Sequence, residues 1–320
     1  MSYYNAPFPY QPQYTAISLA VRNEAYVADE VLPRVAVGAR EFKWNEHTRA
    51  DRFTIPQTLV GRKGRLNEVE FGASETTGSV KDYGLADVVP QDDIDTAPPN
   101  FDPLGNAIEG ITDLVLLDRE KRVADLVFNL NTYPASNRAT LSGSDQWSDS
   151  TSDPYSKVMG DLDGMMVRPN IWVIGRAAWT KLRSHPKITA ALAPSSNGNS
   201  PTTNAAGTPA NAQAVADLFE LDRIIVGTAW VNTAKKGQTA SYTRLWGKHS
   251  AFLHQRPLQS LTQGNGITFG ATAQYGTRVA GTQFDDEIGL RGGYRCKVGE
   301  SVNELIIAAD AGFYYANCVA

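Results

Sequence analysis

The longest helical pattern in the chain covers residues 102–131, DPLGNAIEGITDLVLLDREKRVADLVFNLN, and it limits how the rest can fold. Asp102 can accept hydrogen bonds from the first free N–H groups of a helix, and Pro103 suits the first helical position, where no N–H is needed. Apolar residues then recur every three or four positions, as on the buried face of a helix. We therefore predict a helix over residues 103–131, roughly 40 Å long, along which other elements must pack.

The apolar face of this helix changes direction along its length. Successive residues are about 100° apart, so the face that centres near Leu104 is occupied further on by Arg119 and Arg122. Val123 and Val127 lie roughly a quarter-turn away from it. A coiled coil would keep one seam, so we predict different packing neighbours for the two halves. The alternative is an ordinary core helix whose charged run, residues 118–122, is exposed to solvent.

Composition and charge exclude several classes of protein. The 320 residues are 42% hydrophobic and 20% charged, as in a globular protein of two or three subdomains. The net charge of −4 argues against neutralising nucleic acid over a broad surface. Two cysteines are too few for a disulfide framework, and no apolar run reaches membrane-spanning length. The N-terminus has no signal-peptide pattern, so we expect a protein kept in the cytoplasm or in something assembled there.

The first forty residues contain two segments of different pattern. Residues 3–14 are rich in Tyr, Pro and Gln, which favour an open, unpacked conformation. Residues 17–32 follow as one short amphipathic segment, with Leu19 among its candidate buried positions, and Pro33 ends it.

Residues 41–90 predict a long β-hairpin, because strand-like runs flank a basic turn at Gly61–Arg65. A two-stranded arm cannot bury enough surface to be stable alone, so it needs another surface to lie on. The basic turn and a downstream acidic cluster are our candidate contacts between copies of the chain. The residues are Arg62, Lys63, Arg65, Asp92, Asp93 and Asp95. The alternative is two solvated loops of opposite charge, since exposed ion pairs are individually weak.

A region of different pattern lies between residues 169 and 269. A buried strand at Ile171–Gly175 leads into a helix that ends before Pro186, which is one α/β unit. Residues 194–209 are rich in Ser, Asn, Gly, Thr and Ala, which predicts a long mobile surface loop. We interpret residues 169–269 as an inserted α/β domain and predict later strands near residues 294–298, 305–308 and 313–315. The predicted fold class is α+β.

Motifs of known catalytic and cofactor sites are missing. Neither G-x-S-x-G nor H-E-x-x-H occurs, and the four histidines are scattered. Asp161 and Asp163 begin a pattern like a calcium loop, but Trp172 stands where the last ligand would be. We therefore predict no enzyme activity, no catalytic residue, no cofactor and no metal site.

Five stretches, spread over nearly the whole chain, resemble the sequences of one known family. They are SGSDQWSDSTSDP (142–154), WVIGRAAWTKLRSHPKI (172–188), LFELDRIIVGTAWVNTA (218–234), LWGKHSAFL (245–253) and VGESVNELIIAADAGFYYANCV (298–319). With the order of parts, they resemble tailed-bacteriophage and prophage major capsid proteins of the Hong Kong 97-type fold. The resemblance implies an N-terminal arm (1–40), an extended β-hairpin loop (41–90), a peripheral domain (91–168) with a spine helix at 103–131, an axial domain (169–269) and a return to the peripheral domain (270–320).

The same resemblance implies a function. Members of the family assemble, as hexamers and pentamers, into an icosahedral head shell around phage double-stranded DNA. Scaffolding, portal and decoration proteins are their partners. The DNA would be held without sequence specificity, no membrane would be involved, and the virion would be assembled in the bacterial host cytoplasm. Two alternatives remain at this point: an encapsulin-like compartment shell, which shares the fold, and a cytosolic enzyme without a recognisable motif.

Overall fold

In the computed structural model, two β-sheets with their flanking helices are joined by one long helix. The structure describes residues 8–9, 11–47, 55–62, 64–68, 73–192, 210–235, 237–258, 261 and 267–320. The helices are α1 (Pro12–Ala20), α2 (Ala28–Val31), α3 (Gln91–Asp95), α4 (Pro103–Val127), α5 (Pro154–Asp163), α6 (Arg176–Leu182), α7 (Pro186–Leu192) and α8 (Ala212–Leu218). The strands are β1 (Arg34–Val37), β2 (Glu41–His47), β3 (Ala73–Ser79), β4 (Lys81–Pro90), β5 (Arg138–Thr140), β6 (Ile171–Gly175), β7 (Arg223–Gly227), β8 (Trp230–Asn232), β9 (Tyr242–Arg244), β10 (Ser250–Leu253), β11 (Gly270–Asp285), β12 (Gly293–Ile306) and β13 (Gly312–Ala316). Within these described ranges, no helix is both long and apolar enough to cross a membrane.

The first sheet has four strands in the order β1–β11–β12–β4. β12 is antiparallel to both β11 and β4, and β1 is parallel to β11. β11 is not predicted from the sequence, because GATAQYGTRVAGTQFD shows no alternation of polar and apolar side chains. A bulge between Tyr275 and Val279, with Gly276 at φ +70°, breaks the alternation of buried positions. β12 is also continuous where we predict two strands.

The hairpin arm is shorter than the predicted 41–90. β2 and β3 pair antiparallel, with Glu41 opposite Ser79, and the N–H of Val80 donates to the carbonyl oxygen of Arg40 at 2.9 Å. The arm therefore ends near residue 79. Residues 81–90 instead pair with β12 over their whole length, because this ladder satisfies their backbone groups inside the subunit.

The second sheet has five strands in the order β5–β13–β10–β6–β7. The predicted buried strand, β6, lies inside it, and the ring of Trp172 stacks on that of Phe252 with centroids 4.4 Å apart. Residues 270–320 are predicted to return to the peripheral domain; within them, β13 pairs with β10 and β5 in this second sheet. All five β13 residues are buried, since its alternate side chains enter two different core clusters. β5 and α5 also belong to this unit, and the predicted loop at 194–209 lies outside the described residues.

Helix α4 begins where the sequence predicts and ends earlier. The Oδ1 atom of Asp102 accepts the N–H two positions further on at 3.1 Å, and Pro103 is the first helical residue. The helix ends at Val127 rather than at residue 131. The cause is Asn129, whose side-chain oxygen accepts a nearby N–H and starts a separate short 3-10 turn.

The two halves of α4 pack against different sheets, as the drift of its apolar face predicts. The first half packs with the four-stranded sheet and the second with the five-stranded sheet. Their buried residues are Ile108, Ile111 and Val115, then Val123, Ala124 and Val127. Between the halves, Arg119 and Glu120 are only 1% and 0% exposed. The alternative of a solvated charge run is therefore wrong for these two residues.

The described part of the N-terminal segment packs onto the rest of the subunit. α1 begins at Pro12, inside the stretch that we expect to be open, and the predicted single segment at 17–32 is split into α1 and α2. The hydroxyl of Thr15 donates to the carbonyl oxygen of Ala280 at 3.1 Å, which fixes α1 on β11. Leu19 is 49% exposed, so its predicted burial is wrong.

Candidate assembly surfaces

The base of the hairpin arm is part of the subunit core. Phe42 and Trp44 of β2 are buried, with ring centroids 5.8 Å apart, in a cluster with Val80, Ala273 and Leu305. Gly78, across from Phe42, makes room for these rings, since a Cβ there would lie 2.7 Å from Cζ3 of Trp44. The arm is therefore anchored firmly before it leaves the core.

Beyond its base the arm exposes large apolar side chains. Ile55 is 93% exposed, Leu59 is 82% exposed and Leu66 is 80% exposed. Single exposed apolar residues are common, but three on one short segment are typical of a surface that another molecule covers. We call residues 55–66 the tip surface.

The tip surface also carries the predicted basic turn. The N–H of Gly64 donates to the carbonyl oxygen of Gly61 at 2.8 Å, which closes a tight turn. Arg62 and Arg65 are exposed on it. Lys63, the third predicted contact residue, lies outside the described residues. The tip surface thus combines positive charge with exposed leucines.

The predicted acidic cluster is a short helix, α3, which we call the acidic helix. Asp92 already pairs with Arg291 of the same subunit at 3.3 Å, and the side chain of Gln91 donates to Asp95 at 2.8 Å. Asp93 and Asp95 are exposed. Within the described part of one subunit, no ion pair joins these carboxylates to the basic turn, so the structure does not bring the two predicted groups together in one copy.

A second polar cluster lies where the N-terminal segment, α4 and the four-stranded sheet meet, and it runs from the exposed Asp29 to the buried Glu300. We call it the charge junction; its members are Asp29, Arg34, Arg119, Arg278 and Glu300. Asp29 bridges Arg119 at 2.5 Å and Arg34 at 2.7 Å through its Oδ1 atom. Oε2 of Glu300 accepts from Arg34 at 2.8 Å and lies 3.4 Å from Nε of Arg278. These bridges fix the N-terminal segment to α4 and to both long strands.

The electrostatics of the charge junction favour ionised carboxylates. The side chain of Glu300 is fully buried, which alone would raise its pKa. The adjacent Arg34 guanidinium outweighs this burial and holds the pKa of Glu300 below its usual range. Arg119 and Arg34 likewise lower the pKa of Asp29 against the effect of burial. Ionisation of both carboxyl groups therefore stabilises the junction.

Glu120 forms an adjacent buried contact between three parts of the chain. Its Oε1 accepts the N–H of Val27 at 2.9 Å and the indole N–H of Trp246 at 2.7 Å, and its Oε2 accepts the N–H of Ala28 at 2.7 Å. Burial raises the pKa of Glu120, although these donors oppose the shift. Glu120 therefore connects α2, α4 and the unit built on the five-stranded sheet.

Sequence reasoning finds the exposed charges and misses the buried ones. The charged residues in short polar segments are exposed as expected; they are Arg62, Arg65 and the three aspartates. Arg119 and Glu120 stand in a charged run that is normally solvated, yet both are buried. The signal that could have found Arg119 is its position on the apolar face of the first half of α4.

One serine–histidine contact resembles part of a hydrolase site, and its geometry argues against that use. The hydroxyl of Ser152 lies 3.1 Å from Nε2 of His185, and both residues are buried. The N–H of Lys187 donates to Nδ1 of His185 at 3.2 Å, so the ring proton is assigned to Nε2, which donates to the carbonyl oxygen of Asp149 at 2.9 Å. A ring nitrogen that already carries a proton cannot accept one from Ser152. The contact holds loops together.

A long helix that joins two sheets, and an arm anchored at its base with an uncovered tip, define a class of protein: shell-forming subunits of the Hong Kong 97-type fold. Residues 107–283 match the sequence model of the family described as Phage major capsid protein E. The chain is 51% identical over 316 residues to the major capsid protein of Pseudomonas phage JBD67, which covers 99% of each chain. The chain therefore belongs to the phage major capsid proteins and is a structural subunit of the virion head shell.

Solved structures agree on the fold. A phage-related protein from Bordetella bronchiseptica RB50 matches with a TM-score of 0.71 at 19% identity, over 97% of both chains. An encapsulin complex from Synechococcus elongatus PCC 7942 matches with a TM-score of 0.54 at 10% identity, over 97% of this chain and 96% of that one. At these identities the likeness shows the fold alone and does not separate a capsid protein from an encapsulin. The 51% identical capsid protein decides between them, so the predicted capsid function is confirmed and the encapsulin-like alternative is set aside.

Proposed function

We propose that this capsid protein is a non-enzymatic subunit whose hexamers and pentamers are held together by the tip surface of one copy docking on the acidic helix of the next. The head encloses double-stranded DNA without sequence specificity. Scaffolding, portal and decoration proteins assemble with it in the bacterial host cytoplasm. The observation that carries the proposal is the tip surface, where Leu59 and Leu66 remain about four-fifths exposed on an arm with a buried base.

The proposed domain division follows the two sheets. The peripheral domain contains the four-stranded sheet and the first half of α4. The axial domain contains the five-stranded sheet, so β5, α5 and β13 join residues 169–269 in it. Helix α4 is the spine that both domains share.

The apolar part of the tip supplies a driving force for docking. Burying a leucine side chain contributes about 1.5–3 kcal/mol, and a hairpin arm is marginal until it lies on another surface. A contact made by an arm on a different patch of the neighbour is heterologous, and repeating it by rotation closes a ring. Ring closure is what hexamers and pentamers require.

The acidic side of the contact is supported by the distribution of charge. Residues 82–118 contain nine Asp or Glu and no Lys or Arg. Within them, Asp93 and Asp95 are exposed on the acidic helix, while Asp92 is already paired with Arg291. Opposite charges on the two surfaces attract at a distance and orient the docking, and salt weakens this attraction.

The non-enzymatic part of the proposal is supported by the sequence and by one geometric observation. No hydrolase or metalloprotease motif occurs in the chain. The proton on Nε2 of His185 prevents the Ser152 contact from generating a nucleophile.

Charge reversal at the tip tests the proposal. The variant Arg62→Glu, Lys63→Glu, Arg65→Glu should have a free energy of unfolding within about 0.5 kcal/mol of that of the wild-type subunit, because surface substitutions rarely cost more. The same variant should form few particles by light scattering and negative-stain microscopy. A control with an equal change of charge, on exposed residues away from the tip, is Arg22→Glu, Lys181→Glu, Lys187→Glu. The control should assemble normally.

A rescue experiment then tests the partner. Changing Asp92, Asp93 and Asp95 to Lys in the tip variant should restore part of the assembly. A failed rescue would remove the acidic helix as partner, whereas normal assembly of the tip variant would show that the tip does not act between subunits. Wild-type particles that are empty of DNA after complete assembly in infected cells would contradict the proposed cargo.

A further inference from the structure

Positive charge is concentrated in one part of the chain. Residues 223–284 contain seven Lys or Arg and no Asp or Glu, although the whole chain has a net charge of −4. A tract of this length without a carboxylate cannot neutralise its own cations. Their partner must come from elsewhere in the subunit or from another molecule.

The fold gathers several of these cations at one end of the five-stranded sheet. β6 and β7 are parallel, with Gly175 opposite Gly227, and both strands end there. β10 runs the other way and starts there, with Ser250 opposite Ile174. Residues that follow β6 and β7, or that precede β10, therefore share this end.

Four cations occupy that end, and we call them the basic end: Arg176, Lys235, Arg244 and Lys248. Within the described ranges of the chain, none of them forms an ion pair with a carboxylate. Other exposed cations do form such pairs, for example Arg168 with Asp163 at 2.7 Å. The basic end therefore carries uncompensated charge.

The β8–β9 hairpin presents the basic end together with polar and aromatic side chains. Trp230 is 51% exposed and Tyr242 is 68% exposed. The guanidinium of Arg244 lies 4.4 Å from the centre of the Trp230 ring, directly across the hairpin, so the cation is held in place. Apart from these residues, the hairpin carries Asn, Thr, Gln, Ser and Lys together with four small or apolar residues, Val231, Ala234, Gly237 and Ala240.

We propose that the basic end binds the phosphate backbone of double-stranded DNA. Lys and Arg, with Ser, Thr, Asn and Gln beside them, are the side chains that contact phosphates without reading sequence. The inference rests on the proposed DNA-filled head and adds the contact that the shell makes with its contents.

Binding of a labelled DNA duplex to the full-length unassembled subunit, followed by fluorescence anisotropy over a salt series, tests this inference. The variant Lys235→Gln, Arg244→Gln, Lys248→Gln should bind roughly tenfold or more weakly at low salt. Its plot of log affinity against log salt should be flatter by about 2–3, because each phosphate contact contributes about 0.9 to the slope. The matched control, Arg22→Gln, Lys181→Gln, Lys187→Gln, should change affinity by less than about twofold.

A further variant tests whether a misfolded hairpin, rather than the lost charges, lowers the affinity for DNA. Lys235→Gln with Lys248→Gln leaves the Arg244–Trp230 contact intact and should lose affinity to a smaller extent, with the slope reduced by about 2. Equal affinity in the triple variant and the wild type, or an equal loss in the control, would overturn the inference. So would displacement of the duplex by poly-glutamate at a lower charge concentration than by unlabelled DNA, which would indicate an acidic protein partner. If the triple variant binds DNA as tightly as the wild type but heads from infected cells contain DNA, the inference is wrong and the proposed function still holds.

Discussion

The charge junction and the tip surface contain similar charged residues in opposite environments, the first mostly buried and the second exposed. In the junction, Glu300 and Arg119 are buried and compensated within one subunit. At the tip, Arg62 and Arg65 are exposed beside uncovered leucines and have no carboxylate partner in their own subunit among the described residues. The first region forms its ion pairs within one subunit, and we propose that the second forms them with another copy.

This difference separates the stability of the subunit from its assembly. A buried ion pair costs much to break, because a charge is left without water and without a partner. An exposed basic turn costs almost nothing to change, because water screens it. Substitutions in the junction should therefore lower the free energy of unfolding, and substitutions at the tip should lower particle formation only.

The largest effect is expected for Glu300→Gln. This change keeps the shape of the side chain and removes the negative charge that Arg34 and Arg278 share. The free energy of unfolding, measured by urea denaturation, should fall by about 3–5 kcal/mol. The control is Asp92→Asn, which breaks the exposed pair with Arg291 and should cost less than about 1 kcal/mol. Equal costs in the two variants would contradict the distinction between the regions.

The same carboxylate predicts how stability depends on pH. Its pKa in the folded subunit lies below the ordinary 4.5, so the unfolded chain binds the proton more readily. Its contribution is complete above pH 4.5 and is lost as the pH falls through the lower folded-state value. Asp29 behaves in the same direction below its ordinary 3.8. Urea denaturation from about pH 7 to 3 should show stability decreasing with acid, and less steeply in Glu300→Gln.

A smaller loss is expected for Glu120→Gln. The amide nitrogen would replace one oxygen, so one of the N–H groups of Val27, Ala28 and Trp246 would lose its acceptor, at a cost of about 1–3 kcal/mol. Glu109→Gln, on the exposed side of the same helix, is the control and should be nearly neutral.

The pH dependence of the Glu120 site has the opposite sign to that of Glu300. Its pKa is raised by burial, so its ionised form lowers stability as the pH rises through the folded-state value. Removing the carboxyl in Glu120→Gln should make the decrease in stability on acidification steeper. An unchanged pH profile would show that the pKa of Glu120 is the same in the folded and unfolded states.

Local patterns predicted much of this fold, and long-range contacts account for what they missed. The start of α4 follows from Asp102 and Pro103, which act on their immediate neighbours. β11 could not be predicted, because its side chains are buried by β1, β12 and α1 rather than by an alternating pattern of its own. β13 shows the same limit, since its place in the second sheet depends on a partner, β10, that is distant in sequence.

The assembly site divides in the same way. The exposure of the basic turn and of the acidic cluster was predictable, because short charged runs beside Gly or Pro are usually exposed. The helix that carries the acidic cluster was not predicted. The burial of Arg119 and Glu120 was not, because it depends on Asp29, Val27 and Trp246, which approach α4 only in the folded subunit. In the proposed docking, the surface that covers the tip belongs to a second copy of the chain, so one sequence does not identify it.

The smallest effect on unfolding, with a large effect on assembly, is expected for Leu59→Ser with Leu66→Ser. Both side chains are at least 80% exposed, so the free energy of unfolding of the isolated subunit should change by less than about 0.5 kcal/mol. In a ring each subunit would lose two buried leucines, about 1.5–3 kcal/mol apiece, and the loss would recur at every contact. Particle yield by light scattering should therefore collapse, and high salt should not restore it, because the lost term is apolar. A matched control, Leu19→Ser with Leu114→Ser, changes two leucines that are 49% and 55% exposed on α1 and α4 and tests whether any pair of exposed leucines has the same effect. Normal assembly of the tip variant would assign the docking energy to the charged turn alone, and equal loss in the control would remove the special role of the tip.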